Sequence, residues 1–326
     1  MLDEFSKLYG LCLLALGSLV LTVSAFGKEL RLNQIQIIGT HNSYHLRPDE
    51  KVLLSQRGSS LDYGHAPLFE QLEGGVRSLA IDIYKEADKF RVLHIPEWDE
   101  RSNCAYLKEC LGEVIRWSDE NPKHIPLIVF IEIKNLKEKK GGLVPMTFSD
   151  IDRLEDFIWM TVGEDRLLTP DAVRGNYSTL EAAILQKGWP LVDDVRGKII
   201  VQLNGPAELQ AYYAKVQPSL AGRSMFLKVN PGEPEAAIVV SNDPEKSEVN
   251  ELARKGYLVR TRADTAVKEP VINDTSKRDA ALQSGAHIIT TDFPTITPHP
   301  VTGYLVALPH QADWRPNPLL APAGGN

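Results

Sequence analysis

Short apolar runs rich in Ile, Val and Leu recur along the chain, separated by stretches with the 3.6-residue period of an amphipathic helix. Strands are expected at residues 34–38, 78–84, 90–94, 127–133, 198–203, 225–229, 257–261 and 287–291. Helices are expected at 107–120, 150–161, 179–186, 244–255 and 275–283. Asp150 and Ser178 offer N-cap oxygens, and Gly188, Gly256 and Gly285 stand just past helix ends, where left-handed backbone is needed. Eight strands interleaved with helices build either a closed parallel barrel or a doubly wound open sheet. No glycine-rich nucleotide loop follows the first strand, so the expected fold class is α/β, a TIM (β/α)8 barrel. The 326 residues suffice for one such domain, expected over 26–300 and followed by a Pro-rich, aperiodic tail, 301–326, that wraps the surface. The connections 41–73 and 96–126 are long, and long loops in a compact domain are more often functional than idle.

With 43% hydrophobic and 24% charged residues, the chain is neither disordered nor collagen-like nor a disulfide scaffold. A net charge of -7 without a basic block argues against a nucleic-acid partner. At the N-terminus, Lys7 precedes an uncharged apolar run, 8–23, that ends in Val23-Ser24-Ala25. Residues 1–25 therefore read as a signal peptide, which implies a secreted or periplasmic protein; an uncleaved N-terminal anchor is the alternative. Cys12 lies inside that run. The remaining Cys104 and Cys110 read as a disulfide closing a small loop in an oxidising compartment, or else as two buried thiols.

In a barrel of this kind the active site lies at the carboxyl ends of the strands. The first strand ends in His41-Asn42, and the second carries Ala80 and Asp82 on one face. The third ends at His94, and the fourth carries Glu132 and Lys134 on one face of an apolar run. Asn204, Lys228, Arg262 with Asp264, and Asp292 follow at the ends of the remaining strands. Histidine suits general acid and base work at neutral pH. Asn42, Asp82 and Glu132 are oxygen donors of the kind a hard divalent cation takes. A cation beside two imidazoles suits phosphodiester chemistry, because charge develops on phosphoryl oxygens and on a leaving alkoxide. Without a metal, the two acids are expected to pair with Lys134, Lys228 or Arg262. His45, His65, His124, His299 and His310 are expected to be surface or loop residues, and 137–140 a solvated loop. Trp98 is expected to serve as an interfacial side chain or a lid residue.

The residues carrying this chemistry resemble a known family. Gly39-Thr40-His41-Asn42-Ser43-Tyr44, Gly74-Gly75-Val76-Arg77-Ser78-Leu79-Ala80-Ile81-Asp82, His94 and Phe130-Ile131-Glu132-Ile133-Lys134 are similar to calcium-dependent phosphatidylinositol-specific phospholipase C of the bacterial and fungal type. The resemblance continues through Arg260-Thr261-Arg262-Ala263-Asp264 and from Ser284 to Pro294, and so spans the chain beyond the leader. It implies a TIM-barrel enzyme that cleaves an inositol phospholipid, or a related inositol phosphodiester, to diacylglycerol and a cyclic inositol phosphate. His94 is implied as general acid, His41 as base or transition-state stabiliser, and Asp292 as the carboxylate supporting His41. Asn42, Asp82 and Glu132 are implied ligands of Ca2+, with Mg2+ or another divalent ion as alternatives. Lys134, Lys228 and Arg262 are implied phosphate or inositol contacts. The partners implied are the phospholipid or inositol-phosphate substrate and, transiently, a membrane surface, with a monomer as the default.

One residue departs from the pattern. The family commonly carries an acid two positions before the second-strand aspartate, and here that position is Ala80. Losing a carboxylate weakens a calcium site, so Glu86, Glu97 or a water is expected to compensate. Two alternatives follow. One is a barrel that binds lipid or inositol phosphate with impaired catalysis; the other is a glycerophosphodiester phosphodiesterase. The latter is expected to carry His-Arg-Gly where this chain has His41-Asn42-Ser43.

Overall fold

Side by side, the Ile-, Val- and Leu-rich runs form a barrel of parallel strands whose residues are buried almost throughout. The structure, a computed structural model, describes residues 30–55, 58–134, 136–265 and 267–322, and the expected signal peptide at 1–25 lies outside them. The strands are β1 (Ile35–Thr40), β2 (Ser78–Glu86), β3 (Lys89–Val92), β4 (Leu127–Ile133), β5 (Leu143–Val144), β6 (Ile199–Asn204), β7 (Met225–Leu227), β8 (Ile238–Val240), β9 (Leu258–Arg262), β10 (Ile288–Thr291) and β11 (Arg315–Pro316). Eight of them run in the order β7-β6-β4-β2-β1-β10-β9-β8, every pair along that path parallel. Between β7 and β8 the ring is spanned by a side chain. The buried Gln202 amide donates to the carbonyls of Leu227 at 3.1 Å and Ile238 at 3.0 Å, giving both strand edges a partner there.

Eight strands are expected and eight close the barrel, but one of them differs. Residues 90–94 are not a barrel strand: β3 folds back antiparallel on β2, pairing Ile83 with Val92 and Glu86 with Lys89. The eighth barrel strand is β8, three residues long and bracketed by loop, and it lies outside the strands expected from the sequence. β2 thus runs past the barrel mouth and turns back as a hairpin, which carries His94 to the rim from above.

The helices at Leu107–Glu120, Phe148–Val162, Leu180–Gln186, Ser247–Lys255 and Ser276–Gln283 match the expected positions. Two caps differ by a few residues. Thr147 is the N-cap of Phe148–Val162, and Asp150 closes a capping box from the third position, accepting from the Thr147 amide at 2.9 Å. Asp150 also takes Lys85 at 2.7 Å and so ties this helix to the β2 hairpin. Thr179, one residue past Ser178, caps Leu180–Gln186 through the Ala182 amide. Gly256 ends its helix at φ 114, the left-handed region expected there.

Cys104 and Cys110 form a disulfide that fastens the loop after His94 to the first turns of Leu107–Glu120. At the opposite end of the barrel, β11 pairs antiparallel with the start of β1, and Arg315 donates to the buried Gln36. Tyr304, Val306 and Leu308 join the same core.

Candidate active site

β1 delivers His41 and Asn42 to the carboxyl end of the barrel, and the local sequence holds them there. Gly39 faces Ser78 across the β1–β2 pair, where a Cβ would come within 2.7 Å of the serine Cβ, so only glycine permits that approach. Asn42 turns the chain at φ 47, a conformation asparagine tolerates better than most side chains. Ser43 then locks the turn onto β2, its Oγ accepting the Ala80 amide at 2.8 Å while its own amide donates to the Ala80 carbonyl.

His41, Asn42, Asp82, Glu132, Lys228 and Arg262 share the wall of one cavity of about 100 Å3, with Ala80, Phe130, Asn204, Val240, Asn242 and Arg260. His41 donates through Nδ1 to Asp292 Oδ1 at 3.0 Å, which leaves its Nε2 as the basic atom. Asp292 also takes Arg262 at 2.7 Å, and Arg262 reaches Asp264 at 3.0 Å. Burial opposes ionisation of Asp292, but Arg262 and His41 hold its carboxyl below the usual range, so it stays charged. Burial, aided by Arg262 and opposed by Asp292, pushes His41 down to about 3, so its imidazole is neutral near pH 7.

His94 lies beyond β3 and is absent from that cavity wall. Its Nδ1 donates to Asp99 Oδ2 at 2.8 Å, and His45 Nε2 reaches the same oxygen at 2.6 Å. Burial opposes ionisation of Asp99, yet its hydrogen bonds from His45 and His94 hold its carboxyl below the usual range. The His45 ring packs against Tyr63, whose hydroxyl accepts from the Asn42 amide at 3.0 Å. A chain of contacts therefore runs from His94 through Asp99 and His45 and, by ring packing, through Tyr63 to Asn42 beside His41. Sequence reasoning missed Asp99, His45 and Tyr63 in that chain, and Tyr44 beside Asp82. Asp99 stands only five positions past His94, a proximity that could have been weighed; the tyrosines carry no such signal.

The two acids pair with Lys134: its Nζ is 3.0 Å from Asp82 Oδ2 and 2.8 Å from Glu132 Oε1. Burial pushes the Asp82 carboxyl up, while Tyr44 donates to it at 2.8 Å. Burial works against Glu132 as well, but the combined pull of Lys134, Lys228 and Arg260 holds it down. Lys228 is exposed at the cavity edge. Neither proposed substitute for the carboxylate missing at Ala80 is there: Glu86 accepts from Tyr106 at 2.7 Å, and Glu97 pairs with Lys140 at 3.0 Å. Instead Asn204, level with Glu132 across β4 and β6, presents a buried Oδ1 to the cavity without a hydrogen-bond partner. A vacant carbonyl beside Asn42, Asp82 and Glu132 fits a hard cation.

Four histidines expected on the surface or in loops sit in loops but are buried: His45, His65, His124 and His299. Each meets a polar partner, which is what makes the burial affordable; His65, for example, donates to the His41 carbonyl at 2.9 Å.

A parallel eight-stranded barrel with a histidine, carboxylates and guanidinium groups gathered at its carboxyl end is the architecture of a TIM-barrel enzyme. The chain belongs to the calcium-dependent phosphoinositide phospholipase C family, which matches residues 30–89 and 86–318. Its members are phosphoric diester hydrolases, and the family is calcium-dependent by description. Among solved structures, the fold is similar to a calcium-dependent phosphoinositol-specific phospholipase C from Pseudomonas sp., at 19% identity and TM-score 0.61, over 89% of this chain and 96% of that one. A myo-inositol complex of that Pseudomonas phospholipase matches at 19% identity and TM-score 0.61, over 90% and 97%. A calcium-dependent phosphatidylinositol-specific phospholipase C from Streptomyces antibioticus matches at 18% identity and TM-score 0.56, over 80% and 94%. No curated protein matches.

Proposed function

We propose that the protein is an exported phospholipase C that cleaves phosphatidylinositol, or a related inositol phosphodiester, by division of labour between two histidine–carboxylate pairs. The observation that carries this reading is the contrast between the pairs. Asp292 shares its charge between His41 and Arg262, and the part-exposed His41 ring, beside that guanidinium, is held in its neutral form. Asp99 is held by two imidazoles and, among the described residues, by no arginine or lysine. His41 Nε2 takes the proton from the inositol 2-hydroxyl as its oxygen bonds to phosphorus. His94 Nε2–H gives a proton to the glycerol oxygen as the P–O bond breaks, while Asp99 holds the ring through its Nδ1–H. The products are diacylglycerol and inositol 1,2-cyclic phosphate.

Asn42, Asp82, Glu132 and Asn204 would hold the calcium ion, with Lys134 withdrawing from the two acids. When bound, the ion neutralises non-bridging phosphoryl oxygens and lowers the pKa of the attacking hydroxyl. Lys228 and the freed Lys134 contact phosphate or inositol, and Arg262 orients Asp292. Trp98 is 51% exposed in the loop after His94, suited to transient contact with a membrane surface. Export is supported by the leader-like N-terminus and the disulfide, and the mature enzyme is proposed to comprise the barrel, 26–300, and its tail, 301–326.

The test is to incubate the mature protein with phosphatidylinositol vesicles, with calcium or with chelator, and follow phosphorus NMR. A cyclic inositol phosphate that forms only with calcium is expected. Turnover of glycerophosphodiesters to glycerol phosphate instead, or none with any divalent metal, would overturn the reading.

A further inference from the structure

One group on the cavity wall has no task in the chemistry above. Arg260, in the middle of β9, is 7% exposed and lines the cavity that holds His41 and Glu132. Among the described residues no carboxylate comes within ion-pair distance of it, and its Nε has no hydrogen-bond partner. The Nε of Arg77, Arg223 and Arg262 is likewise without a partner, but their terminal nitrogens are engaged. Arg77 donates to the Leu72 and Val76 carbonyls and pairs with Asp313, and the part-buried Arg262 grips Asp264 and Asp292. Arg223, over the Tyr213 ring and away from the cavity, donates to the Tyr213 carbonyl at 3.4 Å. Those arginines tie elements together, and Arg260 ties nothing.

What it does touch is a ring. Its Cζ lies 5.1 Å from the centroid of Phe130, on β4, which stands across the barrel from β9. The guanidinium therefore spans the cavity floor. Phe130 pairs in register with Ala80, whose methyl leaves that part of the floor open. An aromatic face offsets part of the cost of desolvating a cation but supplies neither counter-charge nor acceptor. A buried cation left in that state persists where a ligand provides the anion.

We propose that Arg260 is a phosphate-binding residue of this cavity, donating from its terminal nitrogens to phosphate oxygens. This deepens the phosphodiester reading and rests on it for the identity of the substrate. The phosphate is either the scissile diester or a phosphate carried on the inositol ring; the chemistry of recognition is the same. Guanidinium is suited to either, since its planar donors match two phosphate oxygens at once.

The experiment compares wild type, Arg260→Met and Arg260→Lys by calorimetric titration with inorganic phosphate and with uncharged myo-inositol, alongside thermal melts. In Arg260→Met, phosphate affinity is expected to fall by about tenfold or more, with myo-inositol affinity unchanged and partial recovery in Arg260→Lys. Without phosphate, Arg260→Met is expected to melt higher than wild type, because an unpaired buried charge is gone. Equal phosphate affinity in wild type and Arg260→Met, or loss of both ligands together with a lower melting temperature, would overturn the proposal. Turnover separates the sources: a raised KM with both phosphatidylinositol and its ring-phosphorylated form assigns the diester, and one confined to the latter assigns the ring phosphate. Arg260-dependent phosphate binding in a protein that turns over no inositol lipid would sink the phospholipase reading while leaving the phosphate site standing.

Discussion

At the scale of single residues, the two imidazoles are distinguished by what sits on their carboxylates. Asp99 accepts from two histidines and, among the described residues, from no arginine or lysine, so its charge is shared by the imidazoles alone. Replacing it by asparagine keeps the shape and removes the charge, and kcat is expected to fall by about 10^2-fold or more with KM little changed. Steady-state kinetics on Asp99→Asn checks this, and an unaltered kcat would deny Asp99 its role. Ala80 faces the cavity on the same strand face as Asp82. Ala80→Glu is therefore expected to raise calcium affinity by about tenfold, measured by calorimetry. No change would mean that the acids drawn around it are not the ligand set. Asp82 and Glu132 were legible because strand alternation decides which side chains share a face, and His41 and Asn42 because they follow the carboxyl end of the first strand. Asp99, Tyr44 and Tyr63 were not, because loop residues have no period and meet only after the hairpin folds over the rim.

Length does not decide which elements the sequence announces: Met225–Leu227 and Ile238–Val240 are both three residues long, and only the first is among the expected strands. Lys89–Val92 has the composition of a barrel strand but the pairing of a hairpin. Composition reports burial, not partners. Gln202 marks the consequence, since it spans the gap that the short β7 and β8 leave. Gln202→Leu strands two buried carbonyls, and chemical denaturation is expected to show a loss of about 2–4 kcal/mol. A second element-scale device joins β9 and β10. His287 accepts the Val259 amide through Nδ1 and donates to the Asn33 carbonyl through Nε2, bonds that require the neutral ring. Burial pushes its pKa down to about 4 from the ordinary 6.5. The unfolded chain takes up this proton first as pH falls, so the stability is full above about 6.5 and is lost down to about pH 4, by about 3 kcal/mol in total. Denaturation midpoints of wild type and His287→Gln against pH check this; the variant should show a flatter acid limb. Parallel acid limbs would refute it.

For the whole molecule, the site is a convergence of distant segments: β1, β2, β4, β6, β9 and the residue after β10 each contribute one or two polar groups to one end of the barrel. Only barrel closure brings them together, so ligand binding and stability are linked. Calcium at about one hundred times its dissociation constant is expected to add about 2.7 kcal/mol and raise the melting temperature by a few degrees. Glu132→Gln should blunt that rise, and a melt indifferent to calcium would remove the metal from this mouth. The central claim, however, concerns protons: His41 removes one and His94 supplies one. It is tested by giving His41→Ala and His94→Ala an inositol phosphodiester whose leaving group is a nitrophenol, which departs without protonation. The account predicts that this substrate restores most of the activity lost in His94→Ala and little of that lost in His41→Ala; restoration of His41→Ala instead, or of neither, would contradict it.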